Sequence, residues 1–373
     1  MGELTEARMG ELTSALVGEL TSAPVGELTS AMAGELTDAR VSQLTSLEIC
    51  AGAGGQALGL EQAGFAHEAV VEIDADACET LRRNRGSAWK VVEDDVANLD
   101  GRAFRDVDLL AGGVPCPPFS IAGKQLGHDD ERDLFPQALR LIEEACPRAV
   151  LLENVRGLAT RRFDGYRALV LARLRSLGYQ TWWDLVQASD HGLPQLRPRF
   201  VLVAIREPWA SWFRWPEPLP GPPPHVGEVL ADLMGSGGWP GAAAWAQKAS
   251  RIAPTIVGGS KKHGGPDLGP TRARAEWRTL GVDGLGIADN VPGPDFPAAA
   301  LPRLTVRMVA RLQGFPDSWQ FPGRKTAAYR QVGNAFPPPV ARAVGEAIAA
   351  ALRQAGPNAA IGEPEHHASL TAR

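Results

Sequence analysis

Long apolar runs are missing from this 373-residue chain, and none reaches the ~18 consecutive apolar residues of a membrane-crossing helix. The opening residues also lack the basic-then-apolar pattern of an export signal. A cytoplasmic protein without a membrane partner is therefore expected. Cysteine is scarce: Cys50, Cys78, Cys116 and Cys146 lie 28, 38 and 30 residues apart. That spacing fits neither a zinc cluster nor a redox pair, so four free thiols and no metal are expected. Aromatic residues make up 6%, and none falls in residues 1–42. The ten tryptophans, several of them at 209–245, read as packing residues of a second domain rather than base-stacking ones.

A basic excess is absent too. The net charge of −5 is carried by residues 1–42, and the remaining 331 residues sum to zero. Within that neutral body, 251–280 holds six Lys/Arg against two acids and 303–330 holds six against one. Such stretches are compatible with a polyanion without requiring one. Residues 1–42 repeat GELTxA every eight residues, from Gly2 to Gly34. Eight is not a heptad, so the leucines drift ~80° per copy around a helix and build no stripe. A flexible extension is expected, reading as an in-frame expansion, and deletion of 1–40 should leave activity intact.

From 46 to 205, short apolar runs alternate with helix-like segments. Strands are expected at 46–51, 68–73, 89–93, 107–111, 148–152, 180–187 and 199–205. Helices are expected at 55–64, 75–85, 132–146 and 164–177. This alternation predicts an α/β fold with a mainly parallel sheet. Between 206 and 300 the pattern dissolves into Pro- and Gly-rich stretches such as PEPLPGPPP, and regular structure returns at 303–313 and 336–353. The expected organisation is an extension (1–42), a catalytic body (43–205), a small irregular domain (206–318), a return to the body (319–355) and a frayed tail (356–373).

The first strand–loop–helix reads EICAGAGGQALGL. Gly52, Gly54 and Gly55 lack Cβ and let backbone N–H groups approach a ligand at a helix N-terminus. Their spacing departs from the dinucleotide G-x-G-x-x-G, which disfavours an NAD-dependent oxidoreductase. Glu72 ends the second strand, where a carboxylate accepts hydrogen bonds from ribose hydroxyls. Asp94 and Asp95 end the third, placed for an adenine, and together they describe a nucleoside site. The fourth strand runs into Pro115–Cys116–Pro117–Pro118, a rigid mount for a nucleophilic thiolate. Glu153 ends the fifth strand at the same sheet edge. Arg197 and Arg199 precede another strand, as partners for phosphate, a base carbonyl or surface carboxylates.

The blocks AGAGG, VEIDADA, EDDV, GGVPCPPFS, LENVRGL, QLRPRF, RLTVRMVARLQGFPDSW and YRQVGNAFPPPVARAVG follow one another across residues 48–353. In kind and order they resemble the DNA (cytosine-5)-methyltransferases of bacterial restriction–modification systems. The resemblance implies a Rossmann-like S-adenosylmethionine-dependent sheet with a smaller target-recognition domain spanning 206–318. It implies cofactor contacts from Ala51, Gly52, Gly54, Gly55, Glu72, Ile73, Asp95, Val96, Pro115, Asn334 and Ala335. Cys50 stands where relatives more often carry phenylalanine beside the adenine, which puts a stacking contact in doubt.

By the same resemblance, Cys116 attacks C6 of a flipped cytosine, Glu153 protonated at N3 stabilises the developing charge, and Arg199 binds O2. DNA contacts are expected from Ser120, Arg197, Lys261, Lys262, Arg272 and Arg274. Arg303 and Arg307 are expected to organise the second domain. The expected partner is double-stranded DNA, with a cognate endonuclease acting separately and a monomeric enzyme. A tRNA methyltransferase of the same lineage is disfavoured by the broad 206–300 block. A DNA-binding regulator without catalysis is disfavoured by Cys116, Glu153 and Arg199 together.

Overall fold

The computed structural model describes residues 43–115, 133–259 and 265–354. The repeat, the tail, Cys116, Ser120, Lys261 and Lys262 lie outside the described residues. Seven strands build one sheet: β1 (Leu44–Ile49), β2 (Phe65–Glu72), β3 (Val91–Glu93), β4 (Leu109–Gly112), β5 (Ala149–Val155), β6 (Tyr179–Gln187) and β7 (Pro198–Arg206). Their order is β3-β2-β1-β4-β5-β7-β6. The five strands from β3 to β5 are mutually parallel, while β7 runs antiparallel to both neighbours. The sheet is therefore mainly parallel, as the β/α alternation predicts, and doubly wound in the Rossmann-like manner.

Sequence pattern explains the layers. Central β4 and β5 read LLAG and AVLLENV, apolar on both faces, as strands covered on both sides must be. Leu47, Ile49, Leu110, Val150 and Leu152 meet α3 (Phe135–Ala145) and α4 (Asp164–Ser176) through Phe135, Leu141, Ile142, Val170 and Leu174. On the opposite face, Leu109, Ala111, Leu151 and Val203 share a core with Val340, Val344, Ile348 and Leu352 of α10 (Pro338–Gln354). Residues from the end of the chain thus return to cover the sheet begun at β1. Helices α1 (Gly55–Gln62) and α2 (Ala75–Arg85) follow β1 and β2. Asp74 caps α2, its carboxylate accepting from the N–H groups of Asp76 and Ala77 at 3.0 and 3.4 Å.

The Pro/Gly-rich block is more regular than its composition predicts. It contains α5 (Val226–Gly235), α6 (Ala242–Lys248) and α7 (Thr271–Thr279), followed by α8 (Val306–Leu312) and α9 (Lys325–Asn334). Leu230, Met234, Trp245 and Trp277 form a core that continues into Leu58, Leu81 and Trp89 of the sheet's own layer. Trp239 and Trp245 pack as expected, but Trp209 packs with the sheet and Trp212 is exposed. Arg303 and Arg307 pair with Asp283 and Asp317, in keeping with an organising role.

Candidate active site

In an open parallel sheet, ligands bind beyond the carboxyl ends of the strands where strand order reverses. Here that point lies between β1 and β4, and a cleft of about 480 Å³ opens there. Ala51, Gly52, Glu72, Ile73, Asp95, Val96, Pro115, Asn334 and Ala335 all line it, as does Glu153. The volume falls within the ~300–1,000 Å³ of small-molecule sites.

The three loop glycines divide by role. Gly52, at φ +54°, has no heavy atom within 4 Å of where a Cβ would stand, and it faces the cleft. Gly54 and Gly55, expected at the ligand, are absent from its lining. Gly54 makes the tight turn at φ +82°, and a Cβ there would meet Leu81 Cδ2 at 2.7 Å. A Cβ on Gly55 would stand 2.2 Å from the Phe336 carbonyl oxygen. These two glycines serve turn geometry and the approach of the returning chain rather than ligand contact.

Glu72 is fixed by its own loop. Oε2 accepts from the Gly52 N–H at 2.7 Å, and Oε1 accepts from the N–H groups of Ile73 and Asp74 at 2.9 and 2.8 Å. Asp95 Oδ1 accepts from the Ala97 N–H at 2.9 Å. At the other wall, Asn334 donates from Nδ2 to the Gly259 carbonyl at 3.1 Å, tying α9 to the Pro/Gly-rich block.

Glu153 and Asn154 end β5 with different tasks. Asn154 Nδ2 donates to the Val114 carbonyl at 2.6 Å and so holds the exit of β4, which reaches the cleft wall at Pro115. Glu153 is 8% exposed, with Oε1 2.9 Å from Arg199 Nε. Burial raises the Glu153 carboxyl above its ordinary range, outweighing the opposing pull of Arg199 and Arg197. Arg199 is nearly as buried and donates from Nη1 to the Pro198 carbonyl.

Arg197, expected at a phosphate, is instead fully buried. Its guanidinium donates to the carbonyls of Ile256, Gly333 and Ala335, the last two at 2.8 Å. It clamps the Ile256 segment and α9 against β7, and no phosphate can reach it. Arg197→Met should cost at least about 2 kcal/mol in urea unfolding, because three carbonyls lose their donor. An unchanged midpoint would remove the clamp. Arg272 pairs with Glu276, while Arg274 bonds Thr271 Oγ1 and lines a separate cavity with Val257, Asp267 and Pro270.

Glu48 is the residue that the motif reading missed. It sits mid-sheet on β1, fully buried, lining the cleft with both carboxyl oxygens unpartnered among the described residues. Burial first, and Glu153 second, drive its carboxyl well above the usual range. A glutamate in the central strand LTSLEI was itself the signal, since both faces of that strand are covered. The native state keeps a proton that the unfolded chain loses near 4.5, so stability falls as pH rises from there through the raised value. Glu48→Gln should therefore raise the Tm increasingly above pH 4.5 and little below it. A gap independent of pH would contradict the buried neutral acid.

The profile of the C-5 cytosine-specific DNA methylase family matches residues 44–350. Among curated proteins, the chain is similar to the type II methyltransferase M.NaeI of Lentzea aerocolonigenes, 59% identical over 83% of this chain and 76% of the relative. It is also similar to M.NgoMIV of Neisseria gonorrhoeae, 52% identical over 83% of this chain and 98% of that one. Among solved structures, a prophage-encoded DNA modification methyltransferase of E. coli matches with TM-score 0.56 at 22% identity, over 82% and 98% of the two chains. A Spodoptera frugiperda DNMT2 variant matches with TM-score 0.59 at 20% identity, over 82% and 99%. These two likenesses speak to the fold.

Proposed function

The chain belongs to the C-5 cytosine-specific DNA methylase family, in its bacterial restriction–modification branch, and is a DNA (cytosine-5)-methyltransferase; from that premise we propose that it works by covalent Cys116 catalysis on a flipped cytosine. The observation that carries this reading is a buried Glu153, its carboxyl raised above the ordinary range by burial, lining the same cleft as Gly52 and Glu72.

S-adenosylmethionine fits the residues present. Glu72 and Asp95 offer carboxylates at successive strand ends for ribose and adenine, Gly52 leaves open space, and the Glu48 carboxyl, without a hydrogen-bond partner among the described residues, offers a further polar group. Ala51, Ile73, Val96, Pro115, Asn334 and Ala335 would complete its walls. Bound there, it supplies a methyl group made electrophilic by the sulfonium.

The protein's task is to make C5 of cytosine nucleophilic. The Cys116 thiolate adds to C6, forming a C–S bond and pushing the ring electrons toward C5 and N3. Glu153, holding its proton beside N3, stabilises the charge that develops there. Arg199 turns from Glu153 toward O2 and assists. Once C5 is substituted, loss of its proton and expulsion of the thiolate restore the aromatic ring. Inside a duplex C6 is stacked and unreachable, so the base is flipped out at a few kcal/mol of lost stacking and pairing.

Residues 206–318 act as the target-recognition domain. Lys261, Lys262, Arg272 and Arg274 are its candidate DNA contacts, joined by Ser120 from the catalytic body, while burial withdraws Arg197 from the DNA contacts. Bisulfite sequencing of DNA from cells expressing the protein tests the reading. Protected cytosines within one short sequence support it, and uniformly converted DNA contradicts it.

A further inference from the structure

The bend that follows β5 carries a cluster of cations for which the mechanism has no use. It begins immediately after Glu153, Asn154 and Val155, at the edge of the sheet where the cleft opens. Two short 3-10 turns, Arg156–Ala159 and Arg161–Phe163, shape it. Leu158 and Phe163, each 1% exposed, anchor the bend in the core. Thr160 donates from Oγ1 to the Gly157 carbonyl at 2.8 Å. From α4, Arg167 donates to the carbonyls of Leu158 and Thr160, the latter at 2.9 Å. The same guanidinium also engages Asp164, the nearest acid following the bend.

The bend is thus braced from within, and its three remaining arginines point outward. Arg156, Arg161 and Arg162 are all exposed, and among the described residues none of their guanidinium groups makes a hydrogen bond or ion pair. The similar cluster on α2 behaves differently: Arg82, Arg83 and Arg85 pair with Glu93, Glu79 and Glu61. Three uncompensated guanidinium groups within seven residues repel one another and are held by a bend too fixed to spread them. An array of oxyanions removes that repulsion, and guanidinium matches phosphate in geometry as well as charge.

We propose that Arg156, Arg161 and Arg162 form a phosphate cradle that grips the DNA backbone beside the flipped cytosine. For a base to reach Glu153, the duplex must cross this edge of the sheet, which brings its backbone against the bend. Phosphate contacts there carry no sequence information; they set register and orientation while the base is out of the stack. Because the bend is braced before DNA arrives, little ordering cost falls on binding. The inference rests on the methyltransferase reading.

The test measures the affinity of a short fluorescent duplex across a salt series. The proteins compared are the wild type, a triple variant (Arg156→Gln, Arg161→Gln, Arg162→Gln) and its Lys counterpart. In the Gln variant the slope of log Kd against log salt should fall by ~0.9 per lost phosphate contact, about 2–3 in all. The Lys variant should keep most of the slope. Binding of S-adenosylhomocysteine and the Tm should not move in either. A control bearing Arg82→Gln and Arg83→Gln should retain the wild-type slope. An unchanged slope in the triple Gln variant overturns the cradle, as does an equal loss in the α2 control or in the Lys variant. A wild type with no salt-dependent affinity for duplex overturns the cradle and the DNA-directed reading together.

Discussion

Replacing Cys116 with alanine is expected to lower methyl transfer to duplex DNA by on the order of 10⁴–10⁶-fold, the scale seen when a covalent nucleophile is removed. Without a sulfur to add at C6, C5 stays part of an aromatic ring and has no excess electron density to offer. The loss should fall on the chemical step, so binding of S-adenosylhomocysteine and of DNA should remain within a few-fold of the wild type. The local frame supports that separation. Asn154 holds the Val114 carbonyl and Leu134 donates to the Pro115 carbonyl at 3.2 Å, so the chain as far as Pro115 is held by groups other than the thiol. Single-turnover methylation with a labelled methyl group measures the effect. A variant retaining more than about a tenth of the rate would be incompatible with covalent addition.

Glu153→Gln should slow methylation at least ~100-fold, as the loss of a positioned acid usually does. Glutamine keeps the shape and an N–H, but its amide is no acid for N3, the role proposed for the Glu153 carboxyl. The pH dependence follows from the same burial. The wild-type rate should decline as pH rises through the elevated Glu153 value, since the neutral acid is then lost. Cys116 opposes this trend, because its thiolate fraction grows with pH. The profile is therefore bell-shaped, and in Glu153→Gln the alkaline limb should disappear. A variant with both a near-normal rate and an intact alkaline limb would take Glu153 out of the reaction.

Much of the sheet was legible because its strands and helices differ in hydrophobic period, and the expected segments fall within a few residues of the observed ones. The 206–300 block was harder to read. Its helices α5, α6 and α7 are only 10, 7 and 9 residues long, and they lie among glycines and prolines that mask a 3.6-residue period. Their stability comes from a shared core with Leu58, Leu81 and Trp89, a contact that no local window contains. Helix α9, which supplies Asn334, likewise lies outside the segments expected to be regular.

The site was legible residue by residue where a carboxylate or glycine sat at a strand end, and less so where packing decided. Gly52, Gly54 and Gly55 look alike in sequence, yet one faces the cleft, one makes a turn and one admits the Phe336 backbone. Arg197 and Arg199 sit two residues apart beside the same strand. One became a buried clamp and the other the partner of Glu153, because only Arg197 meets the carbonyls of Ile256, Gly333 and Ala335. Glu48 was visible as an acid in a covered strand, although no motif singles it out.

The most direct measurement of the central claim is to capture the sulfur–pyrimidine bond itself. A duplex carrying 5-fluorocytosine at the methylated position has no C5 proton to lose, so the ring cannot expel the thiolate after methyl transfer. With S-adenosylmethionine, the wild type should give an adduct that survives SDS, with its cross-linked peptide containing Cys116, and Cys116→Ala should give none. No adduct from an enzyme that methylates the unfluorinated duplex, or an adduct mapped to Cys50, Cys78 or Cys146, would contradict the account.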